Sequence, residues 1–364
     1  MERRRFLKAA GVGAAASVVA APAIAQSMPE VKWRMTSSFP KSLDTLFGGA
    51  EVLAKRVAEA TDNKFQIQVF AAGEIVPALQ VLDAVQANTV QAGHTASYYY
   101  IGKDPTFAFA TAIPFGPNTR QHNAWMYQGG GIQAMNDFYK EYNVIGIPAG
   151  NTCGQMGGWF RKEIKTLEDL KGLKYRIGGF AGQVMSKLGV VPQQIAGGDI
   201  YPALEKGTVD AAEWVGPYDD EKLGFNKIAK FYYYPGWWEG SAGLTAMFNI
   251  GEFQKLPKHY QAILEAACAD ANLWMMAKYD AVNPAALRKL IAGGTQLRGF
   301  PREVMEACYE SAQALYAETN AKNAKFKKIY DQWRDFRNSQ LEWFRVTENS
   351  FDSYMMSKSR ERKV

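Results

Sequence analysis

The sequence is poor in the side chains from which metalloenzymes and disulfide-rich proteins are built. Its 364 residues include only three histidines and three cysteines. His94, His122 and His259 do not form the HExxH pattern of zinc hydrolases, and no two cysteines form a CxxC pair. A GxSxG nucleophile motif and a Walker A loop are also missing. The sequence therefore lacks the usual motifs of zinc, serine and nucleotide-dependent hydrolases.

Two weaker signals have ordinary structural explanations. The segment GGFAG (178–182) lies between a predicted strand and a predicted helix, as a dinucleotide-binding loop does, but Ile177 stands where that loop needs its first glycine. A catalytic role for His94 would need an orienting carboxylate that the sequence does not show, so a core or surface histidine is the favoured interpretation. The odd number of cysteines permits one disulfide and requires none.

The sequence also has only a small excess of positive charge. The formal net charge is +6, from 42 basic and 36 acidic residues, and half of this excess comes from residues 2–8. So small a surplus does not predict the phosphate-binding groove of a nucleic-acid-binding protein. Hydrophobic residues make up 47% and charged residues 21%, as in ordinary globular proteins. At roughly 150 residues per domain, the length predicts about two domains.

Residues 1–26 have the pattern of a signal peptide. A basic start, MERRRFLK, leads into an apolar stretch that ends in a small-x-small cleavage pattern, AIA (23–25). The RRRFLK order resembles the twin-arginine export motif, although a general secretory signal also carries such arginines. No later stretch holds the ~18 uninterrupted apolar residues of a transmembrane helix. The sequence therefore predicts a soluble protein exported to the periplasm.

Residues 27–150 show the pattern of an α/β domain. Hydrophobic periodicity predicts two strands and two helices in alternation, at 31–35, 48–61, 65–70 and 77–87. This order favours a largely parallel sheet, whose strand ends carry the ligand-facing loops. We expect part of residues 240–320 to complete this domain.

A second α/β unit is predicted for residues 151–239. Its predicted elements are strands at 155–160, 173–177 and 209–214, an extended segment at 190–195 and helices at 180–188 and 199–206. The aromatic segment FYYYPGWW (231–238) is broken by Pro and Gly, and it is expected to cross between the units. No low-complexity linker separates the two halves, so we expect a structured hinge rather than a flexible tether.

Two charged residues stand in otherwise apolar surroundings in the second unit. Arg176 is either an exposed arginine on an edge strand or a guanidinium directed into a cleft, where it can hold a carboxylate with two parallel hydrogen bonds. Glu213 is either a structural carboxylate at a turn or part of the same ligand site. A glutamate beside Arg176 would repel an anionic ligand unless a cation lay between them. This conflict suggests a bound metal ion.

Two motifs in this region resemble those of a known family, the solute-binding receptors of TRAP (tripartite ATP-independent periplasmic) transporters. Residues 173–179, LKYRIGG, resemble its LKxRxxG strand, and residues 199–213, DIYPALEKGTVDAAE, are similar to EIYxALQxGxVDGAE. The resemblance extends from Val31 to about Phe351. Further stretches, among them SYYYIGKDPTFAF and EWVGPYDDEKLGF, are similar to the 2-oxoacid-binding subgroup, and most of all to its sodium-dependent α-keto acid receptor.

The resemblance implies a fold and a set of site residues. The fold is an α/β periplasmic binding protein of two domains, with a hinge, a ligand cleft between the domains and a long C-terminal helix. Arg176 corresponds to the arginine that anchors the ligand carboxylate, and Gln155 would touch both ligand and cation through its side-chain carbonyl. Glu213, the main-chain carbonyl of Trp214 and Glu239 would complete the oxygen ligands of the cation. Oxygen ligands suit a hard cation.

Two details concern the wall of the pocket. Trp214 stands where common members of the family have Asn after the glutamate, and in the subgroup this Trp is expected. Tyr98, Tyr99 and Tyr100 are also candidates for contact with the ligand. Since side chains alternate along a strand, these three tyrosines cannot all face the pocket.

The resemblance therefore implies a receptor rather than an enzyme. It would bind a 2-oxo monocarboxylate such as pyruvate together with Na⁺, or Ca²⁺, and deliver it to a membrane permease of small and large subunits. A calcium-dependent receptor for 2-hydroxy acids such as lactate is the alternative within the family. A periplasmic keto-acid enzyme is the alternative from another class, and it needs a proton-transferring residue that the sequence does not show.

Residues 322–364 have apolar residues at helical spacing. These are Phe326, Ile329, Tyr330, Trp333, Phe336, Leu341, Phe344, Phe351 and Met355. Proline is absent after Pro301, so one helix of about 30 residues is predicted here. Such a helix packs either on its own chain or on a partner. Because so large an aromatic surface needs cover, and the resembled receptor exchanges such a helix between two copies, we expect a homodimer.

Overall fold

The computed structural model of the protein describes residues 28–361. The predicted signal peptide, residues 1–26, lies outside the described residues. All elements below belong to one unit of the fold, which begins at Val31. Within the described residues, no helix combines the length and the apolar character needed to cross a membrane.

Strands and helices alternate along most of the described chain. The strands are β1 (Val31–Ser37), β2 (Phe65–Phe70), β3 (Ala92–Thr95), β4 (Val144–Asn151), β5 (Gly158–Phe160), β6 (Lys174–Arg176), β7 (Val191–Gln193), β8 (Ala211–Ala212), β9 (Phe231–Tyr234), β10 (Gly243–Asn249) and β11 (Gln296–Gly299). The α-helices are α1 (Leu46–Ala60), α2 (Val81–Gln86), α3 (Thr119–Gln128), α4 (Gly131–Tyr139), α5 (Gly179–Lys187), α6 (Gly197–Glu205), α7 (Pro217–Leu223), α8 (Ile250–Lys255), α9 (Lys258–Ala292), α10 (Arg302–Lys322), α11 (Ala324–Val346) and α12 (Glu348–Glu361). Short 3₁₀ turns lie at Ala78–Gln80, Ser97–Tyr100, Pro105–Ala110, Lys140–Tyr142, Leu167–Leu170 and Phe225–Lys227.

The first sheet has the strand order β2-β1-β3-β10-β4. β1 pairs in parallel with β2 and β3, whereas β10 is antiparallel to both β3 and β4. β1 to β4 therefore all run in one direction, and β10 enters between them from a distant part of the chain. The register of β10 against β4 shifts between Leu244 and Thr245. This irregularity changes the direction of the side chains at that end of the strand.

The second sheet has the order β11-β9-β5-β8-β6-β7, and β5 is the strand that runs against its neighbours. The two sheets confirm the predicted α/β class. The predicted strand 155–160 begins only at Gly158, because the amides of residues 155–157 bond to loop and strand carbonyls of three different segments. The segment predicted as a crossing, 231–238, contributes strand β9.

Helix α9 is the longest helix of the described residues. It spans 35 residues and packs against α1, β4 and α7. One helix thus contacts elements beside both sheets. Cys153, Cys268 and Cys308 are all buried and none of them forms a disulfide. Their packing as small apolar side chains explains their burial.

The C-terminal segment forms two helices rather than the single helix predicted from its spacing. α11 begins after Asn323, whose side chain accepts a hydrogen bond from the Phe326 amide, and α12 begins after Thr347, which leaves the helical conformation. The apolar stripe itself divides within α11, between Trp333 and Leu341. Phe326, Ile329, Tyr330 and Trp333 are buried on their own chain, whereas Leu341, Trp343, Val346, Phe351, Tyr354, Met355 and Met356 are exposed.

Candidate functional site

Adjacent strands of the second sheet bring Arg176 and Glu213 together. β6 and β8 are parallel neighbours, and Arg176 lies opposite Ala212 in their register. Glu213 follows directly, and its amide donates to the Arg176 carbonyl at 3.1 Å. The carboxyl ends of parallel strands therefore place the predicted carboxylate anchor beside a predicted cation ligand, as expected for ligand sites in such sheets.

Arg176 is held by several acceptors. Its Nη1 forms an ion pair with Glu213 Oε1 and donates to the Glu213 carbonyl at 2.6 Å, and its Nε donates to the Ile195 carbonyl at 3.0 Å. Its Nη2 is buried and has no hydrogen-bond partner within residues 28–361. The other two nitrogens of the guanidinium, Nη1 and Nε, already donate to Glu213 and Ile195. Only Nη2 is therefore available to a ligand, whereas two parallel hydrogen bonds were expected.

Glu239 and Gln155 come from segments that are bonded to each other. The main-chain amide of Gln155 donates to the main-chain carbonyl of Glu239 at 3.0 Å. The main-chain amide of Gly236 donates to the main-chain carbonyl of Gln155 at 2.9 Å. Both side chains are buried. Their positions follow from main-chain pairing between the loop after β4 and the loop after β9, which the local sequence pattern did not reveal.

Five of the predicted site residues have a buried polar atom without a hydrogen-bond partner among the described residues. These atoms are Gln155 Oε1, Arg176 Nη2, Glu213 Oε2, Trp214 Nε1 and Glu239 Oε2. Each such atom costs about 1–3 kcal/mol if it is left unsatisfied in the folded protein. Three oxygens match the ligand preference of a hard cation, and one guanidinium nitrogen matches an anionic oxygen. The residues present therefore fit a cation bound together with an anion.

The carboxylates of the site are electrostatically strained. Burial raises the pKa of Glu239 well above its usual range, and the neighbouring Glu213 raises it further. Burial also raises the pKa of Glu213, although Arg176 opposes this shift. One guanidinium thus faces two buried carboxyl groups. A cation beside them would favour their ionised forms.

A small cavity lies beside these groups. It is lined by Phe39, Leu46, Ala96, Tyr98, Tyr99, Thr111, Thr152, Gln155, Trp214, Val215, Ala242 and Leu244. Arg176, Glu213 and Glu239 are not among the lining residues. Arg176 stands behind Trp214, with its guanidinium carbon 5.0 Å from the centroid of the indole ring. The cavity is thus polar towards Gln155 and apolar on the side of Phe39, Leu46 and Leu244.

The three tyrosines are placed by a 3₁₀ turn rather than a strand. Tyr98 and Tyr99 line the cavity, and their ring centroids are 5.0 Å apart. Tyr100 does not line it: its hydroxyl lies 2.9 Å from Thr95 Oγ1 and accepts from the Leu82 amide. Tyr100 therefore lies away from the cavity lining, and its contact with the ligand stays a prediction without support from the cavity. Because a turn places side chains around an axis, the strand alternation used in the prediction did not apply.

Tyr98 packs on the glycine turn that follows Arg176. Gly179 has a φ of +60°, and a Cβ atom there would lie 2.8 Å from the Tyr98 ring. A side chain at Gly178 would meet the same ring at 3.0 Å. These glycines therefore serve a close approach between the turn and Tyr98. This explains the GG pair without a dinucleotide-binding role.

Several cavity residues were not predicted from the sequence. They are Phe39, Leu46, Ala96, Thr111, Thr152, Val215, Ala242 and Leu244. No charge marks them, and most are apolar residues of the kind that fills any core. Gly197 shows a similar hidden role, because a Cβ atom there would lie 2.5 Å from the Trp214 ring.

The described residues do not offer a cation site built from acidic, histidine and cysteine side chains alone. No group of three or more such side chains gathers among residues 28–361. Amide and main-chain oxygens are therefore needed, as the predicted set with Gln155 and Trp214 includes. His94 is buried elsewhere, with Nε2 at 3.1 Å from the Ala149 carbonyl, and burial lowers its pKa to about 4. It is a core histidine.

The chain is similar to several known proteins. Residues 36–323 match the model of a family described as bacterial extracellular solute-binding protein, family 7 (DctP). A monocarboxylate 2-oxoacid-binding periplasmic protein of Nostoc sp. is 53% identical over 98% of this chain and 100% of its own length.

Two solved structures are also similar. A TRAP transporter solute-binding protein from Bordetella bronchiseptica, a dimer with copurified calcium and picolinate, is 55% identical; the match covers 92% of this chain and 100% of that chain, with a TM-score of 0.91. A TRAP periplasmic solute-binding protein from Pseudoalteromonas atlantica, with bound sodium and pyruvate, is 37% identical; the match covers 89% of this chain and 99% of that chain, with a TM-score of 0.87.

Proposed function

The chain belongs to family 7 of the bacterial extracellular solute-binding proteins, the substrate receptors of TRAP transporters, and on that premise we propose that it binds a 2-oxo monocarboxylate together with a cation. Pyruvate is the ligand we expect, and Na⁺ or Ca²⁺ is the cation. The receptor would deliver the acid to a membrane permease of small and large subunits. It would do so without converting the acid chemically.

The observation that carries this proposal is the set of unpartnered buried atoms on Gln155, Arg176, Glu213 and Glu239. In the proposed complex, Arg176 Nη2 donates to the ligand carboxylate. Gln155 Oε1, Glu213 Oε2, Glu239 Oε2 and the Trp214 carbonyl provide oxygens for the cation. The 2-oxo and carboxylate oxygens of the ligand are further donors to the cation. The ligand anion then lies between the guanidinium and the cation, which relieves the repulsion from the glutamates.

We also propose the domain boundaries given by the sequence pattern. The first domain comprises residues 27–150 and part of 240–320, and the second comprises 151–239 with later elements that cross back. Phe39 and Leu46 reach the cavity from beside the first sheet, and Trp214 and Val215 reach it from beside the second. This supports a cleft between two domains as the place of binding.

The C-terminal segment supports a homodimer. Exposed apolar side chains follow one another in α11 and α12 from Leu341 to Met356, and they form a surface that a second copy would cover. The similar protein from B. bronchiseptica is described as a dimer. We therefore propose that residues after 340 make the contact between two chains, either by simple packing or by exchange of helices.

Export is proposed from residues 1–26 alone. The twin-arginine route predicts that replacing Arg3 and Arg4 with lysine retains the precursor in the cytoplasm. Cell fractionation of the wild type and of this variant distinguishes the twin-arginine route from the general secretory route. A general secretory signal keeps its function when its charge is preserved.

Calorimetry tests the binding function. Protein desalted into a choline buffer should bind pyruvate weakly, and addition of Na⁺ or Ca²⁺ should restore binding and identify the ion. Unchanged affinity in protein shown to be ion-free by elemental analysis would refute cation-linked binding. Tighter binding of lactate than of pyruvate would favour the 2-hydroxy acid receptor, and loss of pyruvate during incubation would reveal an enzyme.

A further inference from the structure

Thr152 contacts Gln155 at the edge of the cavity. Gln155 Nε2 donates to Thr152 Oγ1 at 2.8 Å, and both side chains are buried and line the cavity. The other end of the amide, Oε1, has no hydrogen-bond partner in the described part of the chain. The orientation of this amide therefore decides whether an oxygen or an NH₂ group is presented to the site.

The single hydroxyl proton of Thr152 has another acceptor. Thr152 Oγ1 donates to the Cys153 carbonyl at 3.3 Å. A threonine hydroxyl has one proton and two lone pairs, so towards Gln155 it can only accept. Only the NH₂ end of an amide can donate to it. We propose that Thr152 is a positioning residue that holds the Gln155 amide with its oxygen directed towards the cation; this inference rests on the proposed function.

The backbone around the pair is held by other bonds. The Thr152 amide donates to the Ala242 carbonyl at 3.1 Å, and Asn151 Nδ2 donates to Ser241 Oγ at 2.9 Å. Cys153 has a φ of +61°, and its amide donates to Asn151 Oδ1 at 2.9 Å. Because the main chain of the loop is fixed at these points, the side-chain amide of Gln155 can still rotate while the loop cannot move. The Thr152 hydroxyl restricts that rotation.

Thr152→Val tests this role, since valine has nearly the same shape and lacks the hydroxyl. Without an acceptor, Gln155 Nε2 gains by turning towards the polar cavity. We expect the cation concentration that half-restores pyruvate binding to rise at least about fivefold, the effect of one lost hydrogen bond. At saturating cation, pyruvate affinity should return to the wild-type value. Thr152→Ser, which keeps the hydroxyl, should behave as the wild type.

The measurement is calorimetric titration with pyruvate at a series of Na⁺ or Ca²⁺ concentrations in choline buffer. Thr319→Val, which removes a hydroxyl that bonds the Leu315 carbonyl in α10, is the control for a general loss of stability. If Thr152→Val does not fold, as judged by circular dichroism, Thr152→Ala is measured in its place.

Three results would overturn the inference. The first is an unchanged cation dependence in the folded variant, and the second is a loss of affinity that saturating cation does not repair, because that loss indicates damage to the pocket. The third is a Thr152→Ser variant as weak as Thr152→Val. Wild-type binding that is independent of any cation would instead refute the proposed function itself.

Discussion

Arg176 and Glu213 form an ion pair in which each side chain is only 1% exposed. A buried pair of this kind adds little net stability, since the cost of removing both charges from water offsets their attraction. Removal of one partner is costly, because it leaves the other charge buried and unpaired. The pair is therefore better explained by binding than by stability. It leaves Arg176 Nη2 and Glu213 Oε2 available within one rigid unit.

Arg176→Lys should weaken pyruvate binding by about tenfold or more. A lysine keeps the charge but cannot contact Glu213, Ile195 and a ligand together, and a hydrogen bond between charged groups contributes roughly 1.5–3 kcal/mol. Calorimetry measures the change. The matched control is Arg298→Lys, which alters an Arg–Glu pair of the second sheet outside the cavity. A folded Arg176→Lys protein with wild-type affinity would contradict the proposed carboxylate anchor.

Glu239→Gln should raise the cation requirement. The change removes one negative charge next to the proposed cation while it preserves the size of the side chain. We expect the Na⁺ or Ca²⁺ concentration needed for half-maximal pyruvate binding to rise about tenfold or more, because the buried charge acts in a medium of low dielectric constant. Glu163→Gln, at the partner of Arg298, provides the control. An unaltered cation titration would exclude Glu239 as a ligand.

Truncation after Gln340 should convert a dimer into a soluble monomer. It removes the exposed apolar residues and leaves Trp333 and Phe326 in place, where Phe326 packs on Phe109 with ring centroids 4.8 Å apart. Deletion of residues 322–364 should instead give insoluble protein, because it also removes these core side chains. Light scattering measures the mass. One chain of 364 residues has a mass of 40.4 kDa. If light scattering gives the mass of a single chain for the untruncated protein, the dimer is excluded.

Asp220 should make the protein less stable as the pH rises. Burial raises its pKa to about 7 although Tyr232 and Trp159 donate to its carboxylate, whereas an unfolded Asp ionises near 3.8. A folded-state pKa above the unfolded one means that its contribution is complete below about pH 4 and is lost as the pH rises through 7. The melting temperature of the wild type minus that of Asp220→Asn should therefore fall between pH 5 and pH 8.

The comparison with Asp220→Asn is needed because other buried groups make the folded protein more stable, not less, as the pH rises. Burial lowers the pKa of both His94 and His122 to about 4, so each favours the folded state more as the pH rises towards 6.5. These histidines contribute equally to wild type and variant, and the difference cancels them. A difference that is constant with pH would contradict the prediction for Asp220.

The exposed position of Leu341 and the buried position of Trp333 show where sequence periodicity stops being informative. Both residues belong to one predicted apolar stripe, but Trp333 packs on its own chain and Leu341 does not. The same limit applies to Tyr100, which lies next to Tyr99 in the chain but outside the cavity. Whether an apolar side chain is covered depends on which distant element lies opposite, and local spacing does not encode that.

The sequence by itself determined the α/β class, many of the strands and helices, and Arg176 and Glu213 as site candidates, and its resemblance to the family added Gln155 and Glu239. It could do so because periodicity and short motifs are local properties of neighbouring residues. Only the tertiary structure decided which polar atoms of these residues lack hydrogen-bond partners. It also decided that Glu213 already binds Arg176 Nη1 and that Thr152 orients the side-chain amide of Gln155. These relationships arise where strands and loops far apart in the chain meet, and buried polar groups must find their partners there.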